Sequence, residues 1–329
     1  MARGAWVDPR AGQVTLADYS RQWLAARTDL RPRSRELSTS LLRLHIRPAL
    51  GSLRIARVTP STVRSWFAEL SGDDGPGQAT AARSYRLLRT IMNTAVTDEL
   101  LIKNPCQVTG AGVERSPERP IATVPEVQAL ADAFGPRSRP AVLLASFCSL
   151  RRGEILALRR GDVALLLCKV TVRRAVVNLA TGELFIGEPR TAAGRRTIAV
   201  PPVIIPALEE YLAEYVVVSP DSPLFTGEKG GPLRPHVLQV AWDNARKKTG
   251  LQGFHFHDLC HSGNTWAATT GASTAELMAR MGHASAAAAL RYQHATADRD
   301  RAIATALSSM GERSLAPVTE IGIGERRSS

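Results

Sequence analysis

The chain has 329 residues, 44% of them hydrophobic, with 42 basic and 30 acidic side chains, a net charge of +12 and a pI near 10.3. That length suits two cores rather than one, and the charge excess points to a polyanion, nucleic acid above all, rather than to acidic small molecules. Cys106, Cys148, Cys168 and Cys260 are too widely spaced for a disulfide framework or a cysteine zinc cluster. The longest apolar run, "AVLLASFCSL", is too short to span a bilayer, so a cytoplasmic, nucleoid-associated protein without membrane contact is expected.

The opening "MARGAWVDPR" has no apolar signal core. Leu16, Tyr19 and Trp23 then recur at helical spacing, and "RELSTSLLRLHIRPALG" reads as a second helix stopped by Pro48 and Gly51. Thr59-Pro60-Ser61 starts a third, with Val63, Trp66, Phe67 and Leu70 on one face. The breaker run "SGDDGPGQ" ends it. A long helix follows, carrying Tyr85, Leu88, Met92, Ala95 and Val96 on its apolar face. Residues 1–104 hold 16 basic and 9 acidic side chains, a net of +7, which leaves +5 on the remaining 225 residues. The first region is thus the more basic per residue.

"KNPCQVTGAGVERSPERPIATVP" lacks periodicity and reads as a linker. Beyond it, helices are expected near 125–134 and 140–160. Alternation of Val170, Val172, Arg174 and Val176, with turn chemistry in "LATGE" and "RTAAGR", predicts a small antiparallel three-stranded sheet. Helices resume near 203–216 and 234–248. Leu259, Gly263, Trp266 and Ala267 form one face of another helix, which ends at Gly271, and "STAELMARMGH" begins a further short one. The end, "LAPVTEIGIGERRSS", reads as a disordered tail.

The stretch "FHFHDLCHSGNTW" is the densest in chemistry. His257 and His261, four residues apart with Asp258 after the first, approximate a zinc-binding helix in which Glu276 would be the remaining ligand. An aspartate in place of glutamate reaches a metal-bound water poorly, and an ordinary helix carrying polar histidines is the plainer reading. Arg151 in "SLRRGEILALRRGDV", His283 after a glycine and Tyr292 in "ALRYQHA" have plain readings too, as a solvated helix-end charge, a polar helix terminus and a half-buried aromatic.

In this order and context, however, "LRRGEILAL", "HDLCHS", "MGHAS" and "ALRYQHA" resemble the four signature boxes of the tyrosine recombinases, the phage-integrase family of site-specific DNA recombinases. "EPRTAAGRRTIAVP" resembles that family's β-hairpin segment. The resemblance runs over about residues 12–305. It implies a mainly α (α+β) fold of the DNA breaking-rejoining enzyme type: a segment 1–12, a helical core-binding domain 13–104, a linker 105–118, a catalytic domain 119–305 with the three-stranded sheet, and a tail 306–329. It implies no metal or other cofactor. The implied partner is double-stranded DNA at attachment sites, bound by a homotetramer on two duplexes, with an accessory DNA-bending or directionality factor.

By the same resemblance, Tyr292 attacks a phosphodiester to give a 3′-phosphotyrosine, Arg151 clamps the phosphate, and His257 and His283 donate to it. The chemistry is coherent: a phenol titrates near 10 and is a weak nucleophile at neutral pH unless cations assist it. Two positions depart from the family. Cys260 stands where a second phosphate-clamping arginine is expected, and a thiol has neither the charge nor the forked donors. Arg190 stands where a lysine would protonate the leaving 5′ oxygen, and a guanidinium gives up its proton reluctantly. Many relatives also carry an N-terminal arm-binding module, which is expected to be absent because the matching segment begins at residue 4. The competing expectation is a catalytically inactive, site-specific DNA-binding protein derived from an integrase.

Overall fold

The computed structural model describes residues 13–114, 119–179, 181–189, 191–290, 292, 301, 304–305 and 307–309. The segment 1–12 and nearly all of the tail, both of which carried expectations above, lie outside them. Two compact units emerge, one from Met1–Arg119 with Val176–Ile186, the other from Pro120–Ala175 and Gly187–Ser329.

Outside Val176–Ile186, the first unit is helical. Helix α1 (Leu16–Ala26) starts where the Thr15 hydroxyl accepts from the Asp18 N–H, satisfying an end amide that the helix itself cannot pair. Its apolar positions Leu16, Tyr19 and Trp23 are buried as the spacing predicts. The next segment departs from expectation. Helix α2 (Pro32–Leu41) passes through a π-helical turn, Leu42–Ile46, into α3 (Arg47–Leu50), so Pro48 does not stop it. The wider turn changes the pairing just where proline lacks an N–H. The chain turns at Gly51, where a Cβ would lie 2.5 Å from the Arg47 carbonyl oxygen.

Helix α4 (Pro60–Ser71) is capped by Thr59, whose hydroxyl accepts from the Thr62 N–H, and α5 (Gln78–Thr97) buries Tyr85, Leu88, Met92 and Ala95. These helices share one core with Trp23, Ile46 and Trp66. Cys106 and Ala111, within the stretch read as a linker, also pack there, and the Val108 N–H donates to the Tyr85 hydroxyl.

In the second unit α6 (Val124–Ala133) opens with a reciprocal Thr123/Glu126 cap. The helix expected over 140–160 is two helices, α7 (Arg139–Phe147) and α8 (Arg152–Leu156). Between them Ser149 adopts φ +55°, a left-handed conformation that costs a non-glycine residue roughly 1–2 kcal/mol. Strands β1 (Val163–Ala164), β2 (Lys169–Val172) and β5 (Arg196–Ala199) form an antiparallel three-stranded sheet in the order β1-β2-β5, with Val170 opposite Ile198. Strands β3 (Ala175–Asn178) and β4 (Leu184–Gly187) make a separate two-stranded hairpin, most of which belongs to the first unit. The alternating run 170–176 therefore spans two strands. It breaks at Arg173 and Arg174, which both pair with the buried Asp162 carboxylate.

Helices α9 (Ile205–Tyr215), α10 (Pro235–Lys248), α11 (Phe256–Thr269), α12 (Thr274–Met281) and α13 (Ala286–Leu290) follow in the same unit. No described helix is long and apolar enough to cross a membrane.

Helix α11 lies directly against α7. At Gly263 an added Cβ would fall 1.7 Å from the Ser146 carbonyl oxygen, closer than any real contact. The absence of a side chain thus lets the two backbones touch. Backbone cannot swing aside as a side chain can, so Gly263→Ala is expected to destabilise the second unit by about 1–3 kcal/mol or more, read as a lower urea midpoint with an unchanged denaturant slope.

Candidate active site

The break between α7 and α8 creates the first half of the site. Because the helix stops at Phe147 and restarts at Arg152, Arg151 becomes the residue before α8, with its side chain about one-third exposed. Three residues on, Glu154 is 3% exposed. Its carboxylate accepts from the Arg151 backbone N–H at 2.9 Å and from Arg151 Nη1 at 2.9 Å. From β5, Arg196 closes on the same carboxylate with two bonds, Nη1 to Oε1 at 3.1 Å and Nη2 to Oε2 at 2.9 Å. This fork-to-fork pairing is the strong geometry for arginine and carboxylate.

Burial alone would push the Glu154 carboxyl up; the Arg196 hydrogen bonds and charge, with those of Arg151, hold it below the ordinary carboxylate range. Arg196 is itself only 6% exposed on its side chain. Two more of its donors go to main chain: Nε to the Arg280 carbonyl at 2.7 Å and Nη1 to that of Gly194 at 3.0 Å. Gly282, at φ +65°, lies so close that a Cβ there would sit 2.9 Å from Arg196 Nη1. One guanidinium therefore joins α8, the start of β5 and the end of α12. His283 follows Gly282, its N–H bonded to the Met278 carbonyl.

Helix α11 supplies the second half. Its first turn is fixed by Asp258, buried, which accepts from the His255 N–H at 2.7 Å. His257 and His261 lie one turn apart on one face, their rings 4.8 Å apart and edge-to-face. His257 is exposed and His261 half-buried. Beyond them Tyr292 is 8% exposed, seated on Leu277, Met281 and Ala289. Its hydroxyl is 2.6 Å from His261 Nδ1, with the two rings 5.7 Å apart.

Cys260, on the neighbouring face of α11, is buried. Its thiol donates to the Ser149 carbonyl at 3.3 Å and accepts from Asn264 Nδ2 at 3.8 Å. Burial pushes that thiol up to about 11, against the pull of Arg151 and Arg196. It is neutral at physiological pH and within electrostatic reach of Arg151, Glu154 and Arg196.

The structure thus joins His257 to Tyr292 through His261, and sets Cys260 near Arg151. It brings Arg195, 59% exposed on its side chain, to Glu188 rather than to this group. Arg190 lies outside the described residues. Sequence reading missed Glu154, Arg196 and the contact of His261 with Tyr292. Glu154 had a signal, a carboxylate three residues after a pre-helical position; Arg196 and the His261–Tyr292 contact had none. The zinc reading loses its acid and its third ligand: Asp258 caps its own helix, Glu276 accepts from the Ser273 N–H at 2.7 Å, and no described cluster of three suitable side chains could hold a metal.

The profile of the phage integrase family matches residues 122–299, and that of the phage integrase N-terminal SAM-like domain matches 15–71. The chain belongs to the phage integrase family. Its relatives include a prophage phiRv2 integrase of Mycobacterium tuberculosis, 38% identical over 94% of this chain and 83% of that protein. The integrase of Mycobacterium phage L5 is 33% identical over 92% and 81%. Among solved structures, the Tn1549 transposon integrase in complex with a circular intermediate DNA superposes with a TM-score of 0.75 at 20% identity, covering 89% of this chain and 99% of that one. A lambda integrase tetramer bound to a Holliday junction gives 0.62 at 17%, covering 88% and 79%. At such identity the likeness speaks for the fold.

This integrase therefore belongs to a class of enzymes that break and rejoin DNA in site-specific recombination. Its candidate site rests on a buried carboxylate holding two guanidinium groups. Replacing one partner of such a buried set leaves an uncompensated charge and costs about 3–5 kcal/mol. Glu154→Gln is expected to lower stability on that scale in urea unfolding at pH 7. Because the folded carboxyl is held low, its stabilisation is complete above the ordinary carboxylate range, about 4.3, and is lost as pH falls through the folded value. The gap between Glu154→Gln and the parent should accordingly narrow at acid pH.

Proposed function

We propose that this integrase cleaves and rejoins duplex DNA at attachment sites with Tyr292 as the nucleophile, forming a 3′-phosphotyrosyl link and releasing a 5′ hydroxyl. The observation that carries the reading is the seating of the Tyr292 phenol against the His261 imidazole of α11, 31 residues away in the chain, with His257 in ring contact beyond it. Arg151, anchored through one nitrogen by Glu154 and partly exposed, has donors to spare for a non-bridging phosphate oxygen. His257 and His283 would donate to the same phosphate. The bond energy of the phosphodiester is kept in the link, so neither ATP nor a metal is needed for rejoining.

Duplex DNA is the partner, bound largely through its phosphates by a chain of net charge +12, with affinity that falls steeply as salt rises. A homotetramer on two duplexes and an accessory DNA-bending or directionality factor belong to the same proposal.

A second reading, a DNA-binding protein that does not cut, is favoured by Cys260. Its buried, neutral thiol cannot bind phosphate as a guanidinium does, and Arg196 is too fully engaged with Glu154, Gly194 and Arg280 to replace it. Losing one transition-state donor commonly costs 100 to 1,000-fold in rate. Wild type should form a slow covalent adduct on nicked attachment-site DNA, Tyr292→Phe none, and Cys260→Arg with Arg190→Lys an adduct about 100 to 1,000-fold faster. The check is retention of labelled DNA on denatured protein. If the double variant shifts the DNA but never holds it covalently, the cutting reading fails.

A further inference from the structure

We propose that His261 is the proton acceptor for Tyr292: its Nδ1 takes the phenolic proton as the tyrosine oxygen attacks phosphorus. The inference rests on the reading of Tyr292 as the nucleophile and adds a residue to which no role has yet been given.

The geometry is direct. The Tyr292 hydroxyl and His261 Nδ1 are 2.6 Å apart, within the reach a general base needs. The ring contact at 5.7 Å and the apolar seat made by Leu277, Met281 and Ala289 hold the phenol in that position. His261 is in turn placed by α11, whose backbone is pressed on α7 at Gly263. The hydrogen bond thus joins two well-anchored groups.

The chemistry of this chain makes such a base more necessary. A phenol is ordinarily acidified by cations around the phosphate, and here one of those positions is the neutral Cys260. With less charge to stabilise a phenolate, the proton must leave as the O–P bond forms, and an imidazole is the natural acceptor near neutral pH. In the step, the phenolic proton moves to Nδ1 and the tyrosine oxygen forms its bond to phosphorus. The P–O5′ bond breaks, and its electron pair leaves on the 5′ oxygen, which takes a proton from solvent. Rejoining runs the same sequence backwards, with His261 returning its proton to the phenol.

The charged and titratable groups on the elements packed around His261 leave this role to it. Arg151 and Glu154 by α8 and Arg196 on β5 are tied to one another. Arg139 of α7 is held by Asp132. On α12, Glu276 caps its own helix and Arg280 donates to the Phe147 carbonyl. His257, in ring contact on the solvent side, and His283 after α12 are the other imidazoles, and the former is exposed.

The test compares the parent, in its Cys260→Arg, Arg190→Lys form if that is the faster, with His261→Asn and His261→Gln on nicked attachment-site DNA. Asparagine keeps a hydrogen-bond acceptor near the place of Nδ1 but cannot take a proton. Covalent adduct formation should fall about 100-fold or more in both, with DNA affinity unchanged. The parent rate should rise with pH through the imidazole range, about 6.5, and level off, whereas the variants should keep rising toward the phenol range, about 10. A 5′-bridging phosphorothiolate, whose leaving group needs no acid, should not rescue them; 3-fluorotyrosine at 292, a more acidic phenol, should.

Variants with the parent's rate and pH profile overturn the role of His261 alone, and so does rescue by the phosphorothiolate, which would make the residue an acid. A parent that forms no adduct at all sinks the reading of Tyr292 and this inference with it. Fluorine NMR of 3-fluorotyrosine at 292 adds a check independent of cleavage: its resonance should shift on His261→Asn, and an unmoved resonance overturns the proposal.

Discussion

The candidate site depends on one buried carboxylate. Glu154, 3% exposed, would be untenable as a lone charge in such a place, and it is stable there because two guanidinium groups reach it from different parts of the chain. In return it fixes them. Arg151 keeps a partly exposed fork at the start of α8, while Arg196 is fully absorbed, tying β5 to the carbonyl of Arg280 and to the close approach at Gly282. The segment that carries His283 is thereby set relative to the one that carries Arg151.

The same arrangement gives a physical meaning to Cys260. With Arg151 and Arg196 both bonded to Glu154, these three side chains carry an excess of about one positive charge; an arginine at the buried position 260 would make it two. The thiol, neutral and bonded to the Ser149 carbonyl, adds no charge there.

Much of the fold is legible in the sequence because its signals are local. The periodicity of Leu16, Tyr19 and Trp23, the Thr59-Pro60 start and the turn before Gly271 each lie within one element. What is not legible arises between elements. The π turn that carries the chain past Pro48 and the left-handed Ser149 that splits one expected helix into two are settled by packing. So is the division of the run 170–176 at Arg173 and Arg174, decided by the buried charge of Asp162. Of the expected site residues, Arg151, His257, His283 and Tyr292 can be picked out because motifs carry them. Glu154, Arg196 and His261 matter through partners 42, 84 and 31 residues away, and no local pattern records such pairings.

The measurement that bears most directly on the account is the identity of the residue that becomes joined to DNA. Trypsin should cut between Arg291 and Tyr292, so digestion of denatured adduct, followed by nuclease and mass spectrometry, should yield a peptide beginning at Tyr292 and carrying a 3′-linked nucleotide on its phenol. A nucleotide found on any other side chain, or strand cleavage with no peptide modified at all, would contradict it.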